Sequence, residues 1–318
     1  MWLHPSVRVR FGAAVGVLVA LAVGASAATG FGPDGRATIS GKFKNSEIVV
    51  GVSARTAGAI DSLTWNGREF INAYDHGREL QSASQFDGLH ECFNPTEAGS
   101  RDDGRGPVST SKLVALATTK NRITTHTRMA FWLAPGETSP SCRGGEAANS
   151  RALSDHELIK TVTLGAHGLP NVIEHAVTFR VPANYDSAVF EALTAYLPAG
   201  FSKFWTYDPA GGRLVPLSEG PGEQPLPVII STPDENYALG VFSPDLPQRG
   251  WPRGGYGRFR FDALREPDNA TVKWNCVFRV AAVNAGDYRF VCYSIVGSLA
   301  DVKAAMAKLA AMSKRRMP

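Results

Sequence analysis

Between Tyr74 and Arg105 the chain reads YDHGRELQSASQFDGLHECFNPTEAGSRDDGR, with two histidines, three glutamates, four aspartates and three arginines. Branched aliphatic residues are almost absent from it. Desolvating so many polar groups costs free energy unless each finds a partner, so a stretch of this kind points to a polar pocket for a polar ligand. Within it, His90, Glu91, Asn94 and Glu97 bring an imidazole, two carboxylates and an amide into eight residues. That set suits acid/base work on a glycosidic bond, which needs two carboxyl groups on opposite sides of the scissile atom. Capping and turn hydrogen bonds are the competing role for each of these residues.

Upstream, Asp75-His76-Gly77-Arg78-Glu79 follows directly on a hairpin signal at Asn66-Gly67. If Tyr74 to Gln81 is a strand, alternate side chains share a face, and His76 and Arg78 project together. An imidazole beside a guanidinium suits hydroxyls or a carboxylate, with Asp75 or Glu79 as the arginine's counter-ion. Trp251 and Tyr256 lie in an arginine-rich loop, WPRGGYGR. Flat rings beside polar donors suit sugars, which present both C–H faces and hydroxyls. The expected catalytic residues are therefore Glu91, Glu97 and His90. The expected substrate-binding residues are His76, Arg78, Asp75, Asn94, Trp251 and Tyr256. His175 shares its strand face with Ile173, Val177 and Phe179, and reads as a core histidine.

Other chemistries lack their motifs. There is no Gly-x-Ser-x-Gly elbow, no phosphate-binding Gly-x-x-x-x-Gly-Lys and no His-Glu-x-x-His, and no two cysteines have zinc-ligand spacing. Arg101-Asp102-Asp103-Gly104-Arg105 has the composition of a turn without the spacing of an EF-hand. No metal or cofactor is expected.

The elements that must position these residues are strands. Short β-branched runs separated by Gly, Pro and Asn turns recur from Glu47 to Val296, and no alternation with long helices appears. The expected fold is all-β, a large two-sheet antiparallel sandwich. The one helix expected spans Leu299 to Ser313, capped by Ser298 with Asp301, and its stripe of Leu299, Val302, Met306, Leu309 and Met312 packs on the sheet. Residues 28–318 are expected to form a single domain.

Residues 1–27 read as a secretory signal peptide: Arg8 and Arg10, an apolar run from Phe11 to Val23, then Ala25-Ser26-Ala27. No other run approaches membrane length. The expected location is secreted or periplasmic, with no stable membrane span after cleavage. Of 33 basic and 29 acidic residues, losing Arg8 and Arg10 leaves 31 against 29, too even a balance for nucleic-acid binding. The four cysteines, at 92, 142, 276 and 292, permit two disulfides in an exported protein. Cys276 and Cys292 come opposite each other if their strands form a hairpin about Asn284 to Asp287, either bonded or as a buried thiol pair. Cys92 and Cys142 then remain as partners.

The export signal, the strand pattern and Asp75-His76-Gly77-Arg78, together with the strand-rich middle from Val172 to Leu197, resemble the galactose-mutarotase-like β-supersandwich group of carbohydrate-active proteins. The resemblance runs from Gly41 to Val296. It assigns neither a second histidine nor a late carboxylate base, so what it implies is a carbohydrate ligand rather than one reaction. The functional expectation is an exported enzyme of the glycoside hydrolase or polysaccharide lyase type, acting on an oligo- or polysaccharide. Its alternatives are a non-catalytic glycan-binding envelope protein and a purely structural one.

Overall fold

A computed structural model describes residues 28–32, 34–142, 145–245, 255–262 and 266–314. Trp251 and the expected signal peptide lie outside them. The fold is all-β, with every strand pair antiparallel and one α-helix at Leu299–Lys314.

The strands stack in two layers. In the first, Leu80–Phe86 pairs with Tyr185–Pro198, which pairs with Thr271–Val283, then Tyr256–Phe261, then Gly222–Gln224. In the second, the spatial order is Lys112–Thr119, Arg122–Phe131, Leu153–Leu164, Val172–Val181, Gly286–Gly297, Ala238–Phe242, Val228–Ser231 and Lys203–Asp208. The two layers expected from sequence are present, and they are joined. The short strand Pro95–Thr96 pairs with both Leu80–Phe86 and Arg122–Phe131, so one hydrogen-bonded network runs through both layers. Inward-facing Val, Ile, Leu and Phe from the two layers form one buried cluster. Alternation on a pleated strand supplies this: one face goes to the core and the other remains for solvent or ligand.

The Asn66-Gly67 hairpin forms as expected, with φ of 50° and 73° at the two turn residues. Ser298 and Asp301 cap the C-terminal helix reciprocally. Leu299, Val302, Met306 and Leu309 are buried against the second layer, while Met312 stays exposed. Gly240 permits that docking, because a Cβ there would stand 2.5 Å from the Met306 side chain.

The expected hairpin between the Cys276 and Cys292 strands does not form. Thr271–Val283 belongs to the first layer and Gly286–Gly297 to the second. The two sulfurs meet across the core, 2.8 Å apart and unbridged. Cys92 and Cys142 are joined, with Cα atoms 5.4 Å apart. The bridge fastens the loop after Trp132 to the polar segment.

His156, on Leu153–Leu164, lies in an aromatic cluster, with its ring 4.7 Å from Phe86 and 5.8 Å from Tyr185. Its Nε2 is 3.2 Å from the Tyr185 hydroxyl. Burial pushes its pKa down to about 4. Unfolded, the imidazole takes its proton near pH 6.5. Its contribution to stability is thus full above about pH 6.5 and is lost as the pH falls through about 4. The loss is on the order of 3 kcal/mol. A His156→Phe variant should lose less stability than the parent between pH 7 and pH 4, by roughly that amount, in urea denaturation at the two pH values.

Candidate functional site

The segment Tyr74 to Glu79 is a succession of turns, and the strand begins only at Leu80. His76 and Arg78 therefore do not share a strand face. The His76 ring is fully buried, with Nδ1 2.9 Å from the Gly104 carbonyl and Nε2 2.9 Å from the Arg55 carbonyl. It ties two loops together and is closed to ligand. Asp75 accepts from the Gly77 amide and pairs with Arg78 at 3.3 Å. Arg78 and Arg105 lie over the Tyr74 ring, at 5.1 and 4.5 Å. Neither Asp75 nor Arg78 lines a cavity at the site described below.

Glu97 is also sealed. It has no exposed surface, pairs with the equally buried Lys160 at 2.5 Å and accepts the Ser82 amide. Burial raises its pKa, against the pull of Lys160. A carboxylate with no path to solvent cannot be an acid or base for an external substrate, so Glu97 fills a structural role. Tyr256 is buried as well, its hydroxyl accepting from the Ser243 amide. Burial pushes that phenol well above its ordinary range. It lies on the core face of its strand and does not bind ligand.

Of the expected residues, Glu91, Asn94 and His90 do converge. Glu91 and Asn94 line a cavity of about 140 Å³ on the outer face of the first layer. His90 lines an adjoining one of about 450 Å³. The two cavities share Gln85, Glu191 and Lys273, and together form one groove. Glu91 accepts a hydrogen bond from Ser139, next to the Cys92–Cys142 bridge. Asn94 donates to the Ser84 carbonyl at 2.6 Å.

The floor of the groove follows from strand register. Gln81, Ala83 and Gln85 alternate with core-facing Ser82, Ser84 and Phe86. On the central strand Tyr185–Pro198, an extra residue falls between Glu191 and Leu193 relative to Thr271–Val283, and between Glu191 and Thr194 relative to Leu80–Phe86. This bulge switches the phase of the strand: Ser187, Val189 and Glu191 face the groove before it, and Thr194 and Tyr196 after it. Opposite Tyr196 stands Lys273, and opposite Thr194 stands Asn275. At the near wall, Gly77 holds the Trp132 indole against the loop, where a Cβ would come within 2.5 Å of the ring.

Lys273 pairs with Glu191 at 2.9 Å, with the two side chains only 11% and 13% exposed. Burial pushes the Glu191 carboxyl up, but Lys273, Asn275 and Thr194 outweigh it and hold the group below the usual carboxylate range. Burial lowers the Lys273 ammonium, and Glu191 and Tyr196 outweigh that in turn and hold it above its ordinary value. Both groups are charged at neutral pH. Burial raises the Tyr196 phenol, which remains protonated and able to donate. Behind the floor, Gln81 donates to Glu79 at 3.4 Å. Glu79 is buried, and desolvation pushes it well above the carboxylate range against the pull of Arg55. At the far end, Arg279 grips both oxygens of Glu223, at 2.6 and 2.7 Å.

Sequence reasoning missed Glu191 and Lys273. Their signal is faint but physical: each is a lone charge inside an apolar run, VFEAL and TVKWN. A charge in such a run must find a partner, and only the fold shows that these two find each other. Among the described residues no cluster of His, Cys, Asp and Glu has the arrangement of a metal site, and no helix is long and apolar enough to cross a membrane.

No family model matches the sequence, and no curated protein does. Among solved structures the chain is similar to a galactose mutarotase related enzyme from Lactobacillus acidophilus, with a TM-score of 0.43 and 12% identity over 83% of this chain and 97% of that one. It is similar also to a heparan sulfate lyase mutant from Pedobacter heparinus, at 0.42 and 10%, over 83% of this chain and 35% of the lyase. A third is a 4-alpha-glucanotransferase from Thermococcus litoralis, at 0.39 and 10%, over 85% of this chain and 39% of that one.

Removing one member of a buried ion pair leaves an uncompensated charge, which costs about 3–5 kcal/mol. Lys273→Met should destabilise the protein by that order in a urea titration. Combining it with Glu191→Leu should recover most of the loss, because both charges are then gone.

Proposed function

We propose that this groove binds a carbohydrate and that the protein is an exported carbohydrate-active enzyme acting on an oligo- or polysaccharide. The observation that carries the reading is the small cavity, which two carboxyl groups enter, Glu91 from the loop and Glu191 from the floor. Amides of Gln81, Gln85 and Asn94 and the Tyr196 phenol surround them, a set matched to sugar hydroxyls. Glycoside cleavage asks for one ionised carboxylate and a second group that gives a proton. Glu191 supplies the first, since Lys273 keeps it charged. It takes the place that sequence reasoning gave to Glu97. Glu91 is the partner carboxyl, and His90, exposed at the mouth of the larger cavity, assists.

A lyase would use the same parts differently. Its base takes the proton next to a uronate carboxylate, the electron pair forms the C=C bond as the glycosidic C–O bond breaks, the departing oxygen takes up a proton, and Lys273 offsets the developing charge. A specific observation also supports binding without turnover: both carboxyls already hold protein partners, Ser139 and Lys273. Support for export is the leader pattern of residues 1–27 together with the Cys92–Cys142 bridge, which suits an oxidising compartment.

The test is product analysis after incubating the purified protein with a panel of neutral and uronate polysaccharides. Hydrolysis gives new reducing ends, and lysis gives an unsaturated product that absorbs in the ultraviolet. Glu91→Gln should lower turnover by about 10²–10⁴-fold with bound substrate retained, and Glu191→Gln should lower it at least as far with a loss of stability, because Lys273 then lacks its counter-charge. Saturable binding with no product from the parent protein would establish the binding module instead.

A further inference from the structure

The sugar-binding idea attached at first to Trp251 and Tyr256, and the fold moves it along the chain. Tyr256, Arg258 and Arg260 occupy one face of their strand, while Phe259 and Phe261 occupy the other, toward the groove. Phe259 stands opposite Lys273, which stands opposite Tyr196. Three rings from two strands thus flank the strand that carries Lys273. Phe259 and Phe261 have centroids 6.1 Å apart and planes 13° from parallel. Phe261 and Tyr196 are 6.4 Å apart at 28°. The Lys273 ammonium lies over Tyr196 at 5.0 Å and over Phe259 at 5.4 Å.

Tyr196 lines the smaller cavity and Phe259 the larger, and Phe261, which lines neither, neighbours both rings. Phe261 is 47% exposed, and among the described residues no other phenylalanine is as open. An open ring beside near-parallel rings, at the rim of a polar groove, is poorly served by water. It suits a ligand with an apolar face and a polar perimeter. A pyranose has that form: axial C–H bonds meet the rings, and equatorial hydroxyls reach Lys273, Asn275 and Glu191. A free monosaccharide in the small cavity would leave the platform uncovered.

We propose that Tyr196, Phe259 and Phe261 form a stacking platform for a second sugar unit, so that the ligand of the groove is a chain of at least two units rather than a single sugar. This rests on the carbohydrate reading of the groove. The experiment is isothermal titration of the full mature chain with cello-oligosaccharides and with oligouronides of one to six units. Affinity should rise with length beyond one unit. Phe261→Ala should remove that rise, weakening the longer chains about tenfold and leaving the monosaccharide unchanged. Phe261→Trp should restore it. Because Phe261 is exposed, the melting temperature of each variant should match the parent, which separates lost stacking from lost folding. Equal affinity for one unit and six, or an unaltered Phe261→Ala variant, would overturn the platform and leave the groove standing. Failure of every saccharide to bind the parent protein would overturn the groove reading, and the platform with it.

Discussion

An ammonium group carried out of water must be matched by nearby charge and dipole, or the fold gives up several kcal/mol. Lys273 is matched on three sides, by the Glu191 carboxylate, the Tyr196 ring and phenol, and the Phe259 ring. These partners come from the two strands that flank the strand of Lys273, and the register of the three has no freedom to slip while the match holds. The floor of the groove, the junction of its two cavities and the aromatic row all follow from that one arrangement. The bulge at Ala192 is what makes it attainable. Without the extra residue, Glu191 and Tyr196 would stand on opposite faces of their strand.

The strand pattern was legible because a strand with one buried face writes its own period into the sequence. Val172 to Val181 matches its strand residue for residue, and Lys112 to Thr118 falls one residue short. Leu80–Phe86 was missed because its outward positions carry Gln81, Ala83 and Gln85 and its inward ones include Ser82 and Ser84. The hydrophobic contrast that marks a strand is weak there, since the strand serves a polar groove. The Cys276 hairpin misled for another reason. Asn284 to Asp287 reads as a tight turn whether the chain re-enters the same layer or crosses to the opposite one, and local residues do not distinguish the two.

The polar segment from Tyr74 to Arg105, read as a ligand pocket, divides in the structure. Glu91 and Asn94 reach the groove and His90 stands at its mouth. His76, Glu79, Glu97 and Asp103 do not, and instead hold loops and strands to one another. Asp103 shows the pattern: it accepts from the Ser100 and Thr110 amides and from the Thr110 hydroxyl. Loops without a hydrophobic face have few other ways to hold a fixed shape. Composition identifies groups that need partners. It does not say whether the partner is a ligand or the protein itself.

The arch between Thr271–Val283 and Gly286–Gly297 sends consecutive strands into opposite layers. Each is an interior strand of its layer, flanked on both sides. Neither layer can therefore close until nearly the whole polypeptide has been synthesised, and the groove, whose floor needs residues 81, 191 and 273, forms among the last features. Such high contact order slows folding and keeps the growing chain extended and exposed for longer.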